Sequence, residues 1–173
     1  FLPSLAFPAF LPSSPFILHS FSTSIFDIGY SIFDIRHRAI LLLASSLLAA
    51  DLSVVSIPSP SMKRTYQATV ILPQSYATDG KRYSVIYFLH GYSGDHTTWP
   101  RIAPLERYVD SCKVIAVCPD GRYRSWYLDS PVKKASRFDT YVTREIPAFV
   151  DSVLRTHAST QGRAIMGSSM GGH

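Results

Sequence analysis

An α/β fold, a mostly parallel sheet with helices on both faces, is predicted from three features of the 173 residues. From about Ser53 onward, strand-like apolar runs alternate with helical patterns, the rhythm that builds a parallel sheet covered by helices. Two runs, Tyr83–Leu89 and Val114–Cys118, are continuous rather than alternating, which suits strands buried on both faces. Glycine-rich segments follow Leu89 and Met166, and sites in such sheets lie beyond the carboxyl ends of the strands.

The elements follow in order. Thr65–Leu72 alternates Tyr66, Ala68, Val70 and Leu72 on one face and predicts a half-buried strand. Turn residues in QSYATDGKR lead to the buried strand Tyr83–Leu89. After the loop HGYSGDHTTW, a helix is expected from Pro100 or Ile102 to about Ser111, then the strand Val114–Cys118. The long segment PDGRYRSWYLDSPVKKASRF has no periodicity, and loops of that length tend to carry function. Asp139 is a good N-cap for a helix bearing Val142, Ile146, Phe149, Val150, Val153 and Leu154 on one face, with a kink or boundary near Glu145 because of Pro147. RAIMG closes the series as a short strand.

Composition sets the outer limits. Hydrophobic residues make up 46% and charged residues 17%, enough for a packed core. The net charge of +5 comes from scattered Lys and Arg, which argues for solubility and against nucleic acid as a partner. If KVIAV is a strand, six steps at ~3.3 Å hold Cys112 and Cys118 roughly 20 Å apart, beyond the ~7 Å reach of a disulfide. Both are expected to be small buried thiols. No metal cluster, phosphate loop or nucleotide fingerprint is visible, and no cofactor is expected.

Residues 1–35 are rich in Phe, Ser, Pro and Ile, lack periodicity, and repeat SIFDI at Ser24 and Ser31; a leader rather than a folded domain is expected. Residues 36–52 have the form of a secretory signal: Arg36 and Arg38, then the apolar run Ala39–Ala50, with cleavage near Ala49 or Ala50. That run falls short of the ~20 residues of a membrane span. A secreted or periplasmic protein whose folded domain begins at residue 53 is expected.

The chemistry concentrates in Gly167-Ser168-Ser169-Met170-Gly171. A strand turning sharply into a helix holds its serine on a strained backbone, and glycine two positions either side removes collisions with the neighbouring strand and helix. Ser169 is the candidate nucleophile, placed at a helix N-terminus where developing negative charge is favoured. His90-Gly91, after a buried strand, resembles the loop that gives α/β-hydrolases their second oxyanion donor. The candidate donors are the backbone N–H groups of Tyr92 and Met170. His90 itself is expected to bond backbone groups rather than act as a base, and Asp120 in PDG reads as a turn residue.

VIYFLHGYSGDHTTW, VIAVCPDGRYRSWYLDSP, REIPAFVDSVLRTH and RAIMGSSMGGH together resemble successive blocks of the putative esterase family of α/β-hydrolases, over about Ser59 to His173. That family includes esterase D (S-formylglutathione hydrolase), acetyl and feruloyl esterases, and the antigen 85 mycolyl transferases. The resemblance implies a serine carboxylesterase working through an acyl-enzyme, on a small-molecule or carbohydrate ester or a thioester, with Trp126 and Tyr127 bordering the substrate pocket or plugging the long loop. An acyltransferase of the same fold and a non-catalytic carbohydrate-binding or interaction module stay open.

Family order is nucleophile, acid, histidine, and neither later member follows Ser169 in this sequence. His96, His157 and His173 are not placed by any motif to reach it. Residues 53–173 are therefore expected to be the N-terminal part of an esterase domain, truncated after the nucleophile elbow and, expressed alone, insoluble or inactive. The elbow strand is central in the fold it resembles.

Overall fold

The computed structural model describes residues 50–173; the leader and most of the expected signal lie outside the described residues. Five strands form one sheet in the order β1-β2-β4-β3-β5: β1 Asp51–Ser59, β2 Arg64–Leu72, β3 Ser84–Leu89, β4 Val114–Pro119 and β5 Arg163–Gly167. The chain folds as part of an α/β-hydrolase, but the described sheet is mixed rather than mostly parallel. β3 runs parallel to β4 and β5, while β2 is antiparallel to both β1 and β4.

β3 and β4 send successive side chains to opposite sides of the sheet, and both sides are packed there. Val85, Tyr87, Leu89, Ile115 and Val117 pack on one side with Tyr141, Ile146 and Val150. Phe88, Ala116 and Cys118 pack on the other with Leu105 and Val109. Ile115 is fully buried, so Ile115→Ala leaves a cavity in the most crowded layer. A loss of about 3 kcal/mol is expected, read as a lower urea midpoint with unchanged slope.

β1 has no counterpart among the expected elements, and it starts at Asp51, inside the stretch assigned to the signal. It pairs in register with all of β2, from Asp51 opposite Leu72 to Ser59 opposite Arg64. β2 alternates only in its first half; from Ala68 onward it is buried on both faces, with Ala68, Val70 and Leu72 in one core cluster and Ile71 packed with Leu105 and Val109 in the other. The expected single helix after the first glycine loop is two, α1 Thr98–Ile102 and α2 Leu105–Cys112. Ala103 is extended ahead of Pro104, as the clash of a proline ring with the preceding residue dictates.

The next helical run begins as α3, Phe138–Thr140, widens into a π turn over Tyr141–Glu145, and resumes as α4, Ile146–Val153. The boundary expected near Glu145 is present, with Pro147 in the first turn of α4, where its missing N–H costs nothing. Asp139 is not the cap, since Arg137 occupies that position. The carboxylate that receives the Thr140 N–H, at 3.0 Å, is Asp129, reaching back from the preceding loop. Glu145 ties the π turn to β1, accepting the Ser59 hydroxyl at 2.5 Å and the Ser61 N–H at 2.8 Å.

Both cysteines are free, as expected, but only Cys118 is buried; Cys112, at the end of α2, is exposed. Burial pushes the Cys118 thiol up to about 12, so it is no nucleophile at neutral pH.

Candidate functional site

β3 and β5 are parallel neighbours, with Leu89 opposite Gly167. The two glycine-rich loops therefore leave the sheet side by side at its carboxyl edge. The Leu89 carbonyl joins them, accepting the Ser168 N–H at 3.2 Å and the Trp99 indole N–H at 2.9 Å.

The turn after β5 has the geometry its glycines predict. Ser169 sits at φ +51°, a left-handed conformation that costs a non-glycine residue roughly 1–2 kcal/mol. A Cβ on Gly167 would stand 1.9 Å from the Gly171 carbonyl oxygen, and one on Gly171 would stand 2.4 Å from the Leu89 carbonyl oxygen. Only glycine fits either place. Ser169 is exposed and Met170, beside it, is buried; Met170 anchors the turn in the core next to Leu89 and Tyr127. The segment following begins as a 3₁₀ turn, Ser169–Gly172. It offers unengaged backbone donors.

The loop after β3 lies directly against this turn: a Cβ on Gly91 would stand 3.3 Å from that of Ser169. Ser93 N–H donates to Tyr123 O and Gly94 N–H to Gly91 O, while no acceptor for the N–H of Tyr92 or Met170 is found among the described residues. Those two amides and the Ser169 hydroxyl are brought to one edge of the sheet. The Tyr92 side chain is half exposed and meets Tyr123 edge-on at 4.8 Å between ring centres.

His90 is 1% exposed, and both ring nitrogens are engaged. Nε2 accepts the Gly121 N–H at 2.9 Å, and Nδ1 lies 2.7 Å from the Gly91 carbonyl. A backbone N–H can only donate and a carbonyl can only accept, so these partners assign the neutral Nδ1–H tautomer. His90 thus buttresses the loop after β3, as expected. The Asp120 carboxylate is 3.8 Å from Nε2, but it also accepts the Arg122 N–H at 2.6 Å, the turn contact expected of PDG.

The two aromatic residues of the long loop divide their tasks. Tyr127 is buried, donates its hydroxyl to the His90 carbonyl at 3.2 Å and meets the His90 ring at 5.8 Å. Burial raises its phenol well above the ordinary value, which keeps it a neutral donor. Trp126 is exposed and packs edge-on against His173 at 5.7 Å. A cavity of about 420 Å³ beside the turn is lined by Leu89, Tyr127, Val142, Met166, Gly171 and His173, among others. Tyr127 borders it and Trp126 does not.

Two contributors escaped the sequence reading. A Cβ on Gly121 would fall 2.3–2.5 Å from the Tyr127 ring, so this glycine makes room for the tyrosine. Gly121→Ala is expected to expel the ring and cost about 2–3 kcal/mol, visible as loss of near-ultraviolet circular dichroism from the tyrosine and a lower Tm. Tyr123, through its carbonyl, holds the loop after β3 in place. The one signal for either was position, just past the end of β4. Ser93, Arg122, Trp126, Tyr127 and Ser169 all have positive φ, and all lie on the three loops at this edge. Backbone strain gathers where a site is built.

No bond from the remaining described histidines to Ser169 is found among the described residues. His96 bonds Thr69 Oγ1 at 2.9 Å and Gln67 Oε1 at 3.0 Å. His157 lies against Gly162, at the opposite end of β5, about 16 Å of strand from Gly167. His173 meets Trp126 edge-on. β5 is at the edge of the described sheet, with Ile165 and Met166 exposed. Among the described residues no cluster of potential metal ligands occurs, and no helix is long and apolar enough to cross a membrane.

Residues 59–173 match the family model described as Putative esterase. The esterase Rv1288 of Mycobacterium tuberculosis is 32% identical over 108 residues, which is 60% of this chain and 23% of that protein. An S-formylglutathione hydrolase from Agrobacterium tumefaciens superimposes with a TM-score of 0.65 at 23% identity, over 75% of this chain and 52% of that one. The fluorophosphonate-binding serine hydrolase F of Staphylococcus aureus does so with a TM-score of 0.61 at 27% identity, over 72% and 49%. The chain thus spans about half the length of these solved structures and about a quarter of the curated relative. With the family model covering residues 59–173 and the same fold in both solved neighbours, this chain belongs to the putative esterase family of α/β-hydrolases.

Proposed function

We propose that this chain carries the nucleophile and the oxyanion donors of a serine esterase. Ser169 Oγ attacks the ester carbonyl carbon as its proton passes to a general base; the carbonyl oxygen becomes an anion received by the N–H groups of Tyr92 and Met170; the carbon–oxygen bond to the alcohol breaks, the alcohol oxygen takes that proton, and an acyl-serine remains. Water then attacks that carbonyl and releases the acid. The observation that carries this reading is the positive φ of an exposed serine clamped between two glycines that admit no Cβ. Relatives named S-formylglutathione hydrolase and ferulic acid esterase support thioesters and carbohydrate-linked aromatic esters as the first substrates to try.

His90 and His96 are committed to other partners, so the general base is not among their roles. In the full-length protein a burst of p-nitrophenol equal to the enzyme concentration is expected, with the acetyl group recovered on the peptide containing Ser169. Steady turnover with no acetyl-peptide, or an acetyl group on another residue, overturns the assignment.

A further inference from the structure

The Tyr92 N–H shares one planar peptide with the Gly91 carbonyl, and in a trans peptide the two point in opposite directions. Whatever holds that carbonyl therefore aims the amide. Two donors hold it, His90 Nδ1–H at 2.7 Å and the Gly94 N–H at 3.1 Å, and turning the peptide over would break both bonds. His90 is fixed in its turn. Its Nε2 accepts the Gly121 N–H at 2.9 Å, and its own carbonyl accepts the Tyr127 hydroxyl at 3.2 Å. No other donor to that carbonyl is found among the described residues.

The chain reaches this arrangement against its own preferences. Trp126 and Tyr127 are successive residues with left-handed backbone, at φ +54° and +52°, unfavourable for any side chain with a Cβ, and Gly121 leaves empty the space that the Tyr127 ring takes. A ring that only fills a core needs no particular aim for its hydroxyl. Tyr141 is such a ring, fully buried with its hydroxyl unpartnered among the described residues. We propose that Tyr127 is a positioning residue of the oxyanion site: its hydroxyl fixes the His90–Gly91 peptide and, through the His90 ring and the Gly91 carbonyl, the direction of the Tyr92 N–H. The proposal rests on the esterase reading and deepens it, giving Tyr127 a part in holding the oxyanion donor instead of a part in gripping substrate. A buried carbonyl deprived of its one donor is costly to keep in place, so without the hydroxyl the loop after β3 shifts and carries the amide off its line.

The test is Tyr127→Phe in the full-length protein, which removes one oxygen and keeps the ring. Turnover of p-nitrophenyl acetate is expected to fall roughly 10-fold with KM unchanged, less than the ~10²–10³ lost when an oxyanion donor is removed outright. Amide hydrogen exchange is expected to quicken over residues 90–94 and to stay as it was in β3. Tyr141→Phe, which removes a hydroxyl without a partner, is expected to change neither. Unchanged turnover and exchange in Tyr127→Phe overturn the proposal. So does an equal loss in the two variants, the result of a general loosening of the core, or a raised KM at constant kcat, the result of a pocket residue. Fluorophosphonate labelling of Ser169 in the unsubstituted protein tests the esterase reading separately. If that label is absent the esterase reading fails, and exchange over residues 90–94 still decides whether Tyr127 holds the loop.

Discussion

Ser169→Gly is expected to melt at a higher temperature than Ser169→Ala, while both lose ester turnover. The reason lies in the backbone. At φ +51° a Cβ meets the following carbonyl, and glycine has none. The alanine variant keeps that strain and the glycine variant sheds it, so about 1 kcal/mol should separate them, or roughly 2–4 °C in Tm for a domain of this size. Turnover in the full-length protein should fall about 10⁶-fold in both, because the nucleophile is gone in both. Calorimetry and p-nitrophenyl acetate hydrolysis read the two effects separately. A glycine variant no more stable than the alanine variant would mean that the turn is relaxed.

The glycines flanking the serine are expected to be the least replaceable positions at this edge of the sheet. Gly167→Ala drives a methyl group to 1.9 Å from the Gly171 carbonyl oxygen, and Gly171→Ala drives one to 2.4 Å from that of Leu89. In each case the obstacle is backbone, which cannot rotate aside as a side chain can. The turn must open, Met170 leaves the core where it is 1% exposed, and Ser169 moves with it. A loss of more than about 4 kcal/mol is expected for each, in the range reserved for core disruption, together with loss of labelling by a fluorophosphonate. Gly80 is the control. It shares a positive φ of +62°, but a methyl group there would have no heavy atom within 4 Å, so Gly80→Ala should cost only the conformational strain, about 1 kcal/mol.

How much of this could be read from the sequence depended on how local the cause was. The turn at Ser169 is set by glycines two residues either side of it, and β3 and β4 by unbroken β-branched and aromatic runs; those were legible. The role of His90 was legible as well, since a histidine directly after a buried strand has backbone groups within reach on every side. β1 was hidden because its inward set, Ser53, Val55, Ile57 and Ser59, is half polar. Ser59 can be buried there only because Glu145 accepts its hydroxyl, a partner 86 residues away. Asp139 has the sequence position of a cap, but the carboxylate that takes the Thr140 N–H is Asp129, brought near by a bridge that no short window contains. The mixed direction of the sheet follows from β1, because a hairpin partner for β2 makes one side of the sheet antiparallel. Cys112 reads as buried by residue type, but α2 turns it outward at its last residue.

The most direct test of Ser169 as nucleophile is peptide mapping by mass spectrometry after the natively folded full-length protein is treated with a fluorophosphonate. A single phosphonyl adduct on Ser169, lost on prior denaturation, is the expected result. An adduct on another residue, or none while the circular dichroism spectrum remains native, would contradict it.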